Sequence, residues 1–130
     1  MISFENDYST GAHPRILEAL AATNLEPAPG YGSDRFCESV AARIRAACDD
    51  ETADVFFLTG GTQTNAVVIS ALLAGHEGVI AADTGHIAVH EAGAIEATGH
   101  KVLTVPECDG KLRAADVEAY LQAFYADASF

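Results

Sequence analysis

The sequence predicts an α/β domain built on a mainly parallel sheet. Three short apolar runs, opening near residues 54, 79 and 101, have the length and bulk of buried strands, and helical patterns separate each pair. The order β-α-β-α-β requires parallel strands joined by helical crossovers. Ligands of such sheets bind outside the carboxyl ends of the strands. That rule singles out two polar loops, 59–65 and 83–86.

The elements follow in chain order. Residues 1–12 read as an irregular arm, because Phe4-Glu-Asn-Asp-Tyr-Ser-Thr-Gly11 is rich in turn formers and has no period. Pro14 sits where a first helical residue belongs. Ile16, Leu17 and Leu20 then give a short amphipathic helix ending near Thr23-Asn24, and Pro27, Pro29 and Gly30 break the chain. Ser33 or Asp34 caps a second helix, whose stripe Phe36, Val40 and Ile44 runs to about Cys48. Asp54–Leu58 is read as a strand buried on both faces. The helix after Gly60-Gly61 is apolar all round (Ala66, Val67, Val68, Ile69, Ala71, Leu72, Leu73) and is expected to be largely buried. Val79–Ala82 is the second strand. A helix is expected over His90–Thr98, with Gly99 as its C-terminal cap. Lys101–Val105 is the third strand, Asp109-Gly110 a turn, and Val117, Leu121 and Phe124 mark a last helix to about Ala126. Two divisions result, an arm with helices over 1–52 and a β-α-β-α-β-α part over 53–130.

Composition excludes several classes of function. At 130 residues the chain is the size of one ordinary domain, and its 49% hydrophobic content suffices for a core. Net charge is -12 with only seven basic residues, spread along the chain, so a nucleic-acid surface or an anionic membrane is not an expected partner. No run approaches the length of a membrane span, and the start lacks the basic flank and apolar core of a signal peptide. Three widely spaced cysteines without a CxxC pair point to a reducing cytoplasm. His86 and His90 have the i, i+4 spacing of a helical metal pair, with Glu91 close by, but His86 is expected in a loop and no metal is predicted. His13, His76 and His100 are read as surface loop residues.

The chemistry concentrates in Gly60-Gly-Thr-Gln-Thr-Asn65. At a strand–loop–helix junction the first helical N–H groups have no internal partner, and the helix dipole adds partial positive charge. Such a terminus binds anions, usually phosphate. Gly60 and Gly61 let the backbone approach a ligand, and Thr62 and Thr64 add hydroxyls. With so few cations in the chain, any phosphate here is held by backbone N–H groups. The plain alternative is a tight turn with Thr62 as an N-cap. The dinucleotide-binding GxGxxG, the Walker A loop and the Gly-x-Ser-x-Gly elbow are all absent.

Six pieces spread along the chain carry a resemblance. They are Phe4-Glu-Asn-Asp7, Gly11-Ala-His-Pro14, Tyr31-Gly-Ser-Asp34, Gly60-Gly-Thr-Gln-Thr-Asn65, His86-Ile-Ala-Val-His-Glu-Ala-Gly-Ala94, and Gly99-His-Lys101 with Asp109-Gly-Lys-Leu112. In that order they resemble the N-terminal portion of threonine aldolases, in the β-eliminating lyase group of fold-type-I pyridoxal phosphate enzymes. The resemblance implies a partial three-layer α/β/α sandwich, the N-terminal part of the aspartate aminotransferase-like large domain. It implies pyridoxal 5'-phosphate as cofactor, an amino acid substrate such as threonine cleaved to glycine and acetaldehyde, and a homo-oligomer. Gly60, Gly61, Thr62 and Asn65 correspond to the loop that holds the cofactor phosphate. His86 corresponds to the histidine stacked on the cofactor ring, and it is the one histidine nominated for proton handling. Glu91 corresponds to a glutamate close to the cofactor. Asn6, Asp7, Tyr31 and Asp34 correspond to substrate-side positions, with Asn6 standing where the family usually has serine.

The family's Schiff-base lysine has no counterpart here. Lys101 opens a strand and Lys111 sits in a turn, so the 130 residues are expected to be inactive alone. Two alternatives stand beside this reading. One is a piece of another fold-type-I enzyme, an aminotransferase or a carbon–sulfur lyase. The other is a non-catalytic phosphate-binding or assembly module.

Overall fold

A computed structural model of the chain describes residues 4–6 and 8–126. It divides into two units, Met1–Phe56 and Phe57–Phe130.

The first unit is helical. Helix α1 spans Pro14–Thr23, with the expected proline in its first turn, and His13 caps it by accepting the Arg15 N–H at Nδ1. Helix α2 spans Arg35–Cys48, capped by Asp34 at one end and by left-handed Asp49 (φ 53) at the other. The stripe read from Phe36, Val40 and Ile44 is therefore a true helical face. Among the described residues of this unit only Ala41 is buried. Arg45 donates from Nε to the Ala53 carbonyl (2.8 Å) and so ties the segment after α2 back to the helix.

Residues 54–58 correct one expectation. They form no strand, and Phe56 is 81% exposed. An apolar, β-prone run becomes a strand only when a neighbour accepts its ladder bonds, and among the described residues the sheet has two strands, neither of which pairs with it.

The second unit carries that sheet. Helix α3 (Gly61–Leu72) leads to strand β1 (Gly78–Ala82), a short helix α4 (His86–Val89), a 3-10 turn at Glu96–Thr98, strand β2 (Lys101–Val105) and helix α5 (Ala114–Ala126). The strands pair in parallel, from Gly78 opposite Lys101 to Ala82 opposite Val105. The close approach requires glycine at 78, since a Cβ there would lie 2.7 Å from the Lys101 carbonyl oxygen. Past the strands, Asp83 N–H donates to the Val105 carbonyl (3.0 Å) and Glu107 N–H donates to Asp83 Oδ1 (3.1 Å). These bonds fix the carboxyl end of the sheet, where the 83–86 loop begins. Ile95 and Val105 are fully buried, with Ala81 beside them in the buried set, and this small cluster is the unit's core.

Three further expectations change. The helix read over His90–Thr98 is broken, because Ala92 (φ 50) and Gly93 (φ 77) both take left-handed conformations that no right-handed helix contains. Gly99 nonetheless caps the surviving 3-10 turn (φ 91). Helix α3 has no buried residue, and Leu72 is 77% exposed. A helix apolar on all sides needs neighbours on all sides, and the described residues do not supply them. His100 is buried rather than superficial, its Nδ1 3.1 Å from the Glu77 carbonyl oxygen, because the strand register places the residue before β2 opposite the residue before β1.

The chain exposes 10482 Å². Large apolar side chains are exposed in both units, among them Leu25, Phe56, Leu72 and Tyr125.

Candidate active site

Helix α3 begins with its first N–H groups free of any side-chain cap, and its N-cap is Gly60. Thr62 is therefore not the cap. The ladder opens with Thr64 N–H donating to the Gly60 carbonyl (3.0 Å), so the N–H groups of Gly61, Thr62 and Gln63 precede the first rung. Open space surrounds the Cα atoms of Gly60 and Gly61, where a Cβ would meet nothing within 4 Å. The Thr64 hydroxyl is used locally, donating to the Gly60 carbonyl (2.9 Å). Gln63 carries a role the sequence reading missed. Its Oε1 accepts both the N–H (2.9 Å) and the hydroxyl (2.8 Å) of Thr59, which sets the path of the loop into the helix. The i, i+4 spacing of Thr59 and Gln63 was the available signal.

The second loop delivers His86 and Glu91. Strand β1 ends at Ala82, the chain turns through Gly85, and His86 is the first residue of α4. The left-handed pair Ala92-Gly93 ends this segment and turns Glu91 inward, with its side chain 0% exposed. Glu91 Oε1 accepts the Asn65 Nδ2–H at 2.6 Å and lies 2.9 Å from His86 Nδ1. Glu91 Oε2 is buried with no partner. The His86 side chain is 64% exposed, so one ring nitrogen is tethered while the rest of the imidazole stays open. The His90 ring lies 5.5 Å away, tilted by 51°. The structure thus brings together three of the residues named from sequence, Asn65, His86 and Glu91, and places Gly60, Gly61 and Thr62 one turn before Asn65 on the same helix. No cluster of three metal-ligating side chains occurs among the described residues.

The substrate-side residues belong to the first unit. Asn6 Oδ1 closes a local turn by accepting the N–H groups of Tyr8 (3.1 Å) and Ser9 (2.8 Å). Tyr31 is fully exposed on a left-handed backbone (φ 63). Asp34 Oδ1 accepts the N–H groups of Phe36 and Cys37, both at 2.9 Å. Hydrogen bonding from the Cys37 side chain, then from its N–H, holds the Asp34 carboxyl below its ordinary value, and the same contact raises the Cys37 thiol. Asp7 lies outside the described residues.

This arrangement has relatives. The family model for β-eliminating lyases matches residues 4–129, nearly the whole chain.

The chain belongs to the β-eliminating lyase family.

Within that family it is 30% identical over 116 residues to the low specificity L-threonine aldolase of a Pseudomonas species, and 29% identical over the same length to that of Pseudomonas aeruginosa. Each match covers 88% of this chain and 33% of the relative. The solved structure of Leishmania major threonine aldolase superposes with a TM-score of 0.87 at 51% identity, over 91% of this chain and 34% of that one. The chain therefore spans about a third of the length of the relatives it matches. The likeness to that solved structure establishes the α/β fold, of which the two parallel strands and their flanking helices are a part.

Proposed function

We propose that this β-eliminating lyase chain supplies the phosphate-binding and ring-binding residues of a pyridoxal phosphate site. The reaction we assign to that site is threonine aldolase-like cleavage of a β-hydroxy-α-amino acid to glycine and an aldehyde. The relatives named threonine aldolase support the reaction. The observation that carries the reading is the joining of the uncapped α3 N-terminus to His86 through Asn65 and Glu91.

The residues present fit the cofactor. A phosphate group needs several converging N–H donors and space for the backbone to approach, and Gly60, Gly61 and Thr62 offer both. A flat heteroaromatic ring needs a planar neighbour that is anchored yet open, and His86 is tethered at Nδ1 and otherwise exposed. Bound there, pyridoxal phosphate supplies an electron sink for bonds at the substrate Cα. The chain's own share is binding and orientation. The α3 terminus fixes the phosphate end, Asn65 holds that helix against the Glu91 segment, and His86 sets the ring plane. His86 Nε2 is the nitrogen available to take the β-hydroxyl proton. Asn6, Asp7, Tyr31 and Asp34 are assigned to the substrate side, residues 1–52 to the arm and its helices, and residues 53–130 to the cofactor domain.

The two lysines are exposed, Lys101 at the start of β2 and Lys111 in the turn after it. Neither stands among the candidate cofactor residues, so turnover is assigned to an assembly larger than these 130 residues. No described helix is long and apolar enough to cross a membrane, and the three cysteines are free; we place the protein in the cytoplasm. The exposed apolar surface supports a homo-oligomer. Two assays test the reading together. The 130-residue chain is expected to bind pyridoxine 5'-phosphate saturably, with competition from inorganic phosphate, and to release no glycine from threonine. Absence of binding overturns the site, and robust glycine release overturns the assignment of turnover to a larger assembly.

A further inference from the structure

Glu91 is the least explained group in the second unit. A carboxylate with no exposed surface is costly unless its lone pairs are used, and only one of its oxygens is. Both hydrogen bonds converge on Oε1. The Asn65 amide nitrogen is a donor only, so it occupies one lone pair of Oε1. The remaining lone pair faces His86 Nδ1 at 2.9 Å. Oε2 is enclosed and has no partner among the described residues, so both contacts depend on the one oxygen.

We propose that Glu91 is a positioning residue that locks His86 in the Nδ1–H tautomer, and that it acts through the histidine rather than as a ligand of a bound cofactor. A carboxylate oxygen accepts, so His86 donates from Nδ1. In a neutral imidazole this leaves Nε2 as the unprotonated nitrogen. The His86 side chain is 64% exposed, so the tethered ring stays open to receive a proton. Free histidine prefers the opposite tautomer, so the lock changes which nitrogen is basic. His90, whose ring is 5.5 Å away, is the other titratable group beside His86; the Asn65 amide carries no charge. The same oxygen also accepts from Asn65, on the other lone pair. The functional consequence rests on the cofactor site proposed above. The tautomer itself does not.

The test is long-range nitrogen–proton NMR of the 15N-histidine-labelled, ligand-free chain at pH about 8.5, well above the ordinary histidine range. Wild type is expected to show His86 with a protonated Nδ1 and a pyridine-like Nε2. Glu91→Gln keeps an acceptor oxygen and is expected to retain that pattern. Glu91→Leu has similar bulk and no acceptor, and is expected to move the majority of His86 to the Nε2–H form. A wild-type His86 already in the Nε2–H form overturns the proposal, as does a Glu91→Leu spectrum identical to wild type. The wild-type spectrum decides the matter even if Glu91→Leu does not fold. Pyridoxine 5'-phosphate binding, measured on the same samples, reports separately on the cofactor site.

Discussion

Asn65 and His86 share a single acceptor atom. Glu91 Oε1 lies 2.6 Å from the Asn65 amide nitrogen and 2.9 Å from His86 Nδ1, while the other oxygen of the same carboxylate is sealed away without a partner. A residue on the first turns of α3 is thereby fixed against the first residue of α4.

Asn65→Ala should therefore weaken the anion site without changing the state of His86. A hydrogen bond to a charged group contributes about 1.5–3 kcal/mol, and part of that is lost from the ordering of α3. The expected result is about a tenfold fall in pyridoxine 5'-phosphate affinity by calorimetric titration, with the His86 nitrogen spectrum unchanged. Unaltered affinity would show that the contact does not support the helix terminus.

Asp34 makes α2 sensitive to acid. Its folded-state value is lowered, so its contribution is fully present above the ordinary value of 3.8 and is lost as pH falls through the lower folded value. Far-UV circular dichroism should show helix loss on acidification below about pH 3.8 that is reduced in Asp34→Asn, which keeps a capping oxygen but cannot titrate. Identical acid profiles for the two proteins would remove Asp34 as the cause.

The same contact protects a thiol. Cys37 is partly buried and its deprotonation is opposed first by the hydrogen bond to Asp34, whereas Cys48 is exposed. Alkylation followed by mass spectrometry at mildly alkaline pH should label Cys48 first. Asp34→Ala should accelerate Cys37 selectively, and equal acceleration at Cys48 would mean general loosening instead.

Gly78 sits where the neighbouring strand leaves no room for a side chain. A methyl group there meets the Lys101 carbonyl oxygen at 2.7 Å and the Leu103 side chain at 3.1 Å. Gly78→Ala should destabilise the second unit by about 1–3 kcal/mol, read as loss of amide exchange protection in β1 and β2. Full retention of protection would show that the ladder shifts to accommodate a Cβ.

Local signals were legible in the sequence, and relations between distant segments were not. Pro14, Asp34 and the stripe Phe36, Val40, Ile44 gave α1 and α2 because a helix answers to its own residues. Val79–Ala82 and Lys101–Val105 were readable as strands and do pair. Residues 54–58 carry the same apolar composition and form none, because a strand is a property of two segments and no described residue pairs with this one. The break at Ala92-Gly93 was hidden because alanine gives no sign of a left-handed backbone. In the site, the glycine loop and its helix were visible from spacing alone. The roles of His86 and Glu91 came from resemblance, and their contact was concealed because i and i+5 are not neighbours on a helix face. The buried, half-satisfied state of Glu91 could be known only from the folded chain.

The central claim is that this chain holds the phosphate and one face of the cofactor ring. Pyridoxine 5'-phosphate tests it most directly, since it has the phosphate and the ring but no aldehyde to react with Lys101 or Lys111. Calorimetric titration of the 130-residue chain should show saturable binding at one site per chain, competed by inorganic phosphate and weakened at least tenfold by His86→Ala. No saturable binding, or binding indifferent to both phosphate and His86→Ala, would contradict the account.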